Sequence, residues 1–234
     1  MPNVQPFSDS SGLEAVRGFL HIPDAAASPS AGLVLTHSAG SNCQAPLLVV
    51  LAEAFSAAGW FVLRCDLPFR QQRPSGPPMR TALKDQAGLQ AAVDSLRRRT
   101  KSKSAEGSAD GSGGRIYLGG HSYGGRMASM LAADHPELVD ALLLLSYPLH
   151  PPKQLQQMRT KHFPELKTPA LFVSGAHDGF GSIPELESAT ALIPGRTAVL
   201  PVPGAGHELL SKASREILPR LVVEGFLAFV SPNR

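Results

Sequence analysis

The stretch Ile116-Tyr117-Leu118-Gly119-Gly120-His121-Ser122-Tyr123-Gly124-Gly125-Arg126 decides how this chain is to be read. Apolar residues suited to a buried strand run straight into glycines, and residues compatible with a helix follow at once. Ser122 stands between them, with glycines two residues before and two residues after it. The pattern Gly-x-Ser-x-Gly is weak by itself, because a chain rich in both residues can match it by chance. Its setting is informative. A strand that turns sharply into a helix exposes the serine hydroxyl on a strained turn, and flanking glycines let the backbone approach where a Cβ would collide. The N-terminus of the following helix aims free N–H groups at negative charge developing beside that hydroxyl. The bland alternative is a capping serine in a glycine-rich turn, so Ser122 needs partners elsewhere.

A hydroxyl is a poor nucleophile without a base, and the base needs a carboxylate to orient it. Two further strand ends supply both. Leu171-Phe172-Val173-Ser174 leads into Gly175-Ala176-His177-Asp178-Gly179, and the strand Thr197–Val202 leads into Gly204-Ala205-Gly206-His207-Glu208. The chain order is serine, acid, histidine, and all three residues follow the C-terminal ends of strands, which share one edge in a parallel sheet. The expected roles are Ser122 nucleophile, His207 base and Asp178 orienting acid. His121 and His177 are weaker candidates for the base, and Asp66 is the alternative acid. Oxyanion stabilisation needs two backbone donors. The expected pair is the N–H of Tyr123 and the N–H of Ala39, in the loop His37-Ser38-Ala39-Gly40-Ser41-Asn42. His37, Ser38, Asp66, Arg70 and His150 are the candidate pocket residues. His21, His135 and His162 look like packing or surface residues, and no histidine spacing suggests a metal site.

Short apolar runs alternate with helix-like stretches, the pattern of an α/β protein with a mostly parallel sheet. Strands are expected at 32–36, 61–65, 115–119, 141–146, 170–174 and Thr197–Val202. Their uniform apolarity requires helices on both faces. Helices are expected at 47–58, 81–99, 124–134 and 211–230, the last delayed or kinked by Pro219. Val16–Ile22 is expected to add an antiparallel edge strand. Residues 66–80, with Pro68, Pro74, Pro77, Pro78 and Arg70, Arg73, Arg80, look like an irregular loop. Residues 97–114 end in Gly-Ser-Ala-Asp-Gly-Ser-Gly-Gly and look like a mobile insertion. The strand after them needs neighbours from the first half, so residues 1–234 are expected to form one domain.

The chain has 234 residues, 43% hydrophobic and 18% charged, enough for a substantial core. Two cysteines exclude a disulfide scaffold and a Cys-built zinc module. No apolar run approaches a membrane span. The start lacks a basic segment followed by an apolar one, so a cytoplasmic location is expected. The net charge is +3. Residues 97–114 hold Arg97, Arg98, Arg99, Lys101 and Lys103 against Glu106 and Asp110, and the remainder is balanced. A basic run without interleaved aromatics is a poor nucleic-acid platform, and neither a nucleic-acid nor a membrane partner is expected.

Four stretches carry a resemblance to a known family. They are residues 35–42, quoted above with Leu35-Thr36 before the loop; Leu67-Pro68-Phe69-Arg70 with Arg73-Pro74 and Gly76-Pro77-Pro78; Gly119 to Arg126; and Tyr147-Pro148-Leu149-His150-Pro151-Pro152. With Asp178-Gly179-Phe180-Gly181 they resemble the α/β-hydrolase superfamily across nearly the whole chain. The closer likeness is to its lidless branch of dienelactone-hydrolase-like proteins and to the domain of testis-expressed and NSL-complex subunit proteins. The resemblance implies the α/β-hydrolase fold. Residues 147–169, where many such proteins carry a helical lid, are too few for a large lid domain. It also implies a serine hydrolase acting on a carboxylic ester or related acyl bond of a small molecule, through an acyl-enzyme and without a cofactor. The alternative is a noncatalytic binding or scaffold domain, since some relatives are complex subunits. Two departures stand out. Ser38 follows His37 where the family usually has glycine, so Ser38 is expected in a conformation that glycine adopts freely. Dienelactone hydrolases use a cysteine where this chain has Ser122, so a dienelactone substrate does not follow.

Overall fold

A computed structural model describes residues 3–24, 31–79, 81–104, 114–212 and 214–231, without the side chains of 102–104. In the first half it contains β1 (Asn3–Asp9), β2 (Val16–Ile22), β3 (Ala31–Thr36), α1 (Pro46–Ala57), β4 (Trp60–Cys65), α2 (Pro68–Gln72) and α3 (Ala82–Ser104). In the second half it contains β5 (Arg115–His121), α4 (Tyr123–Asp134), β6 (Ala141–Leu145), β7 (Ala170–Gly175), α5 (Ile183–Thr190), β8 (Thr197–Val202) and α6 (Leu218–Val230). The eight strands form one sheet in the order β1-β2-β4-β3-β5-β6-β7-β8. The pairs β1–β2 and β2–β4 are antiparallel, and every other pair is parallel. This is the α/β-hydrolase fold, and no large lid domain interrupts it among the described residues.

Every residue of β3, β4, β6 and β7 is buried, as a sheet covered on both faces demands. Alternation divides their side chains between two cores. Val34, Leu63, Leu118, Leu142, Leu144 and Phe172 meet α3, α4 and α5 on one face. Leu33, Leu35, Val62, Leu143, Leu145 and Val173 meet α1 and α6 on the other. Trp60 stacks on Tyr117 with centroids 4.9 Å apart, and Phe226 of α6 meets Tyr117 edge-on at 5.3 Å. The parallel strands end together. Thr36 lies opposite Gly120, His121 opposite Leu145 and Gly175 opposite Val202. The loops that follow these strands therefore leave the sheet along one edge.

Several expectations need correction. Val16–Ile22 is antiparallel, but β1 pairs outside it and takes the edge. The mostly exposed β1, with Pro6 within it, gives no strong apolar signal. Residues 66–80 include the short helix α2, opened by Pro68. The capping box of Ser182 and Glu185, which starts α5, was not anticipated. The last helix starts at Leu218 rather than 211, with Pro219 in its first turn. Helix α3 runs through residues 97–104, so it takes the first part of the expected insertion. Arg97 donates to Asp94 at 3.1 Å, and Arg98 donates to Asp9 at 2.7 Å. Residues 105–113 lie outside the described residues.

Burial also sets the charge state of one inner histidine. Arg64 Nε donates to His21 Nε2 at 2.8 Å, an acceptor role that protonation would abolish. Desolvation, helped by the Arg64 charge, pushes His21 down to about 4 from 6.5. Between these values the unfolded chain binds more protons than the folded one, so stability rises with pH across the window. His162, also pushed down to about 4 chiefly by desolvation, acts in the same direction. Urea unfolding is expected to give lower stability at pH 5 than at pH 7, and His21→Gln to flatten part of that slope. Equal stability at both values would contradict the assignment.

Candidate active site

Strand β5 ends at His121 and α4 begins at Tyr123, so Ser122 alone makes the turn. It adopts φ 52° and ψ −112°, a conformation costing a non-glycine residue about 1–3 kcal/mol. Its N–H donates to the Leu145 carbonyl at 2.8 Å. A Cβ on Gly120 would lie 2.5 Å from the Gly124 carbonyl carbon. A Cβ on Gly124 would lie 2.6 Å from the His37 carbonyl oxygen. The glycines around Ser122 are thus required by backbone contact.

His207 Nε2 lies 2.8 Å from Ser122 Oγ, and His207 Nδ1 lies 2.9 Å from each oxygen of Asp178. A carboxylate can only accept, so Nδ1 carries the proton and Nε2 accepts from the Ser122 hydroxyl. The Asp178 side chain is fully buried, and its Oδ1 also accepts the Phe180 N–H at 2.8 Å. The Phe180 ring stacks on His207 at 4.0 Å between centroids. Beneath, His121 Nε2 donates to the His207 carbonyl at 2.9 Å. Desolvation holds His121 below its ordinary value and hence neutral. The imidazole of His207 is fixed from three sides.

A second polar system shapes the loop after β3. His37 Nδ1 donates to the Ser38 carbonyl at 2.8 Å, while its Nε2 accepts the Leu67 N–H at 3.1 Å. Desolvation is the largest influence on His37 and keeps it neutral, as these two roles require. The Ser38 carbonyl and the Ala39 N–H belong to one trans peptide and point in opposite directions. The Ala39 N–H is therefore aimed away from His37. Arg70 reinforces the arrangement by donating to the carbonyls of Ser41 at 2.7 Å, Ala39 at 2.9 Å, Gly76 at 3.1 Å and Arg73 at 3.2 Å. The fully buried Asp85 accepts from Tyr123 Oη at 2.7 Å, from Thr81 Oγ1 at 2.7 Å and from the Phe69 N–H at 3.1 Å. Tyr123, the first residue of α4, has an N–H without an intrahelical acceptor.

These elements enclose a cleft of about 540 Å³. Ser38, Ala39 and Gly40 line it from one loop, and Ser122, Tyr123 and Arg126 from the elbow and α4. Pro148 and Arg159, together with Phe180, His207 and Glu208, complete it.

Residues 29–220 match the alpha/beta hydrolase domain family. This chain belongs to that family. Among solved structures, dienelactone hydrolase from Anabaena variabilis superposes with a TM-score of 0.71 at 22% identity, over 98% of this chain and 99% of that one. An α/β serine hydrolase without a lid from Xanthomonas campestris gives 0.72 at 13% identity, over 99% and 97%. Est1E from Butyrivibrio proteoclasticus, with ferulic acid bound, gives 0.72 at 16% identity, over 97% and 100%. At these identities the likeness is one of fold.

Within this α/β hydrolase, Ser122, His207 and Asp178 meet as the sequence order anticipates, and Tyr123 and Ala39 border the same cleft. Of the candidate pocket residues, Ser38 lines the cleft. Its φ is not positive, so the position makes no demand that glycine alone could meet. The other four are corrected. His37 and Arg70 are buried beneath the loop and bonded to its carbonyls. Asp66 accepts the Cys43 N–H at 2.7 Å and approaches His37, not His207. His150 is buried, with Nδ1 2.9 Å from the Pro151 carbonyl. Sequence reasoning missed Arg126, Phe180, Arg159 and Glu208 as lining residues. Arg126 stands one turn past Ser122, and Phe180 stands two past Asp178, spacings that carry a signal. Arg159 has no local signal, because only the fold returns the 147–169 segment to the elbow.

The Arg70→Met change would leave four loop carbonyls short of a donor. It is expected to destabilise the fold by about 2–4 kcal/mol and to speed amide exchange at residues 38–41. Urea unfolding and hydrogen exchange measure both, and an unchanged midpoint would contradict the bracing role.

Proposed function

We propose that this protein is a serine hydrolase cleaving a carboxylic ester or related acyl bond of a small molecule. The observation that carries the proposal is the unbroken chain from Ser122 Oγ through His207 to Asp178, at 2.8 Å and 2.9 Å, opening on a cleft. His207 Nε2 takes the Ser122 proton as Oγ bonds to the substrate carbonyl carbon. The N–H groups of Tyr123 and Ala39 receive the oxyanion, Tyr123 as a free helix N-terminal donor and Ala39 because His37 holds the opposite end of its peptide. As the tetrahedral intermediate collapses, the bond to the leaving group breaks and His207 returns the proton to it. Water, activated by the same imidazole, then attacks the acyl carbon, and Ser122 is released with its proton. Asp178 holds the His207 tautomer throughout and stabilises the imidazolium. The absence of a large lid suits an open site, and the single eight-stranded sheet supports a one-domain organisation for residues 1–234.

A fluorophosphonate probe is expected to label the wild-type protein and not Ser122→Ala. Asp178→Asn is expected to lower kcat on an activated ester by about a thousandfold or more with the fold intact. Well-folded wild-type protein that resists the probe would instead favour a noncatalytic binding or scaffold role.

A further inference from the structure

The cleft beside Ser122 is lined by two cations that form no ion pair among the described residues. Arg126 enters from α4, and Arg159 enters from the segment between β6 and β7. They are close enough that, after desolvation, the Arg126 charge is the main influence lowering Arg159. Neither guanidinium forms an ion pair among the described residues. Arg126 Nε is buried with no hydrogen-bond partner there. Among the described residues the Arg159 guanidinium has one weak acceptor, the Pro148 carbonyl at 3.4 Å. The acidic residue of the cleft, Glu208, is exposed and pairs with neither. Elsewhere the protein satisfies its buried and half-buried arginines. Arg70 is held by four carbonyls, Arg64 by His21 and the Cys43 carbonyl, and Arg97 by Asp94 and the Leu138 carbonyl.

Two half-buried guanidiniums lining one cleft pay desolvation and repel each other, and an arriving anion offsets both penalties. Arginine also presents a planar fork that matches a carboxylate or phosphate in two parallel hydrogen bonds. We propose that the substrate carries a carboxylate or phosphate near its scissile carbonyl, held by Arg126 and Arg159 while the carbonyl sits at Ser122. This rests on the serine-hydrolase proposal and narrows its substrate class to anionic esters. Pro148 and Phe180 give the rest of the cleft an apolar wall for the linking chain.

The test compares kcat/KM for p-nitrophenyl hydrogen adipate and p-nitrophenyl hexanoate, which share chain length and differ in charge. Wild-type protein is expected to favour the adipate ester about tenfold or more. Arg126→Gln and Arg159→Gln are each expected to reduce that ratio by a similar factor. The ratio is internal to each sample, so a lower yield of folded variant does not affect it. In parallel, calorimetry with Ser122→Ala measures binding of adipate and of inorganic phosphate, which separates a carboxylate preference from a phosphate preference. Wild-type turnover with no preference for the anionic ester, or a preference unmoved in both arginine variants, would overturn the anion site. Adipate or phosphate binding to Ser122→Ala, lost with Arg126→Gln, but with no wild-type ester turnover, would sustain the site and sink the hydrolase proposal. Absence of both turnover and binding would overturn both.

Discussion

Ser122 occupies a left-handed backbone conformation between a strand and a helix, with no spare residue on either side. The conformation persists because its surroundings determine it. Leu145 of the neighbouring strand accepts its N–H, and Gly124 packs against the backbone of Thr36 and His37. Those contacts require β3, β5 and β6 to be adjacent, parallel and in register. The local strain of about 1–3 kcal/mol is small beside the burial of the two cores that hold those strands. The position of α4, the direction of its first N–H groups and the mouth of the cleft all follow from that one turn.

The polar residues below the cleft behave as scaffolding. His37, Arg70 and Asp85 are buried, and each is bonded to backbone groups or hydroxyls of the loops that border the site. Buried polar groups are tolerable when their partners are complete, and a completed network fixes a unique geometry. Helix α2 is the meeting point. Its first turn takes Asp85 through the Phe69 N–H, and its Arg70 reaches the Ser38–Ser41 loop. The two backbone donors assigned to the oxyanion thus belong to segments tied together through α2, although they are far apart in sequence. In the cleft itself the logic reverses, since Arg126 and Arg159 have no anionic partner among the described residues. Incomplete satisfaction beside a nucleophile is where a ligand's chemistry is to be sought.

Local patterns recovered the parallel strands because each is a short, mostly apolar run bounded by turn residues. They failed at β1, whose exposed residues and proline do not look like a strand, and which exists because β2 offers it a paired edge. They also failed at residues 66–80. There the prolines suggested irregular chain, while Pro68 in fact opens a helical turn. The basic run at 97–99 falls in the stretch expected as a mobile insertion, yet Arg97 and Arg98 reach Asp94, Asp9 and the Leu138 carbonyl. Charge pattern alone does not show which partner a long side chain will meet.

The sequence alone determined the fold class, the elbow at Ser122 and the order of Ser122, Asp178 and His207. Each of these is written in residues a few positions apart, where strand, turn and helix preferences act. Tertiary structure decided which remaining polar residues face the cleft. It turned Arg70 and His37 inward to the loop carbonyls, kept Asp66 with Cys43, and brought Arg159 to stand beside Arg126. Those choices depend on where each chain segment lies across the sheet, and on which buried group still needs a partner once the strands are in register. No spacing along the chain encodes that.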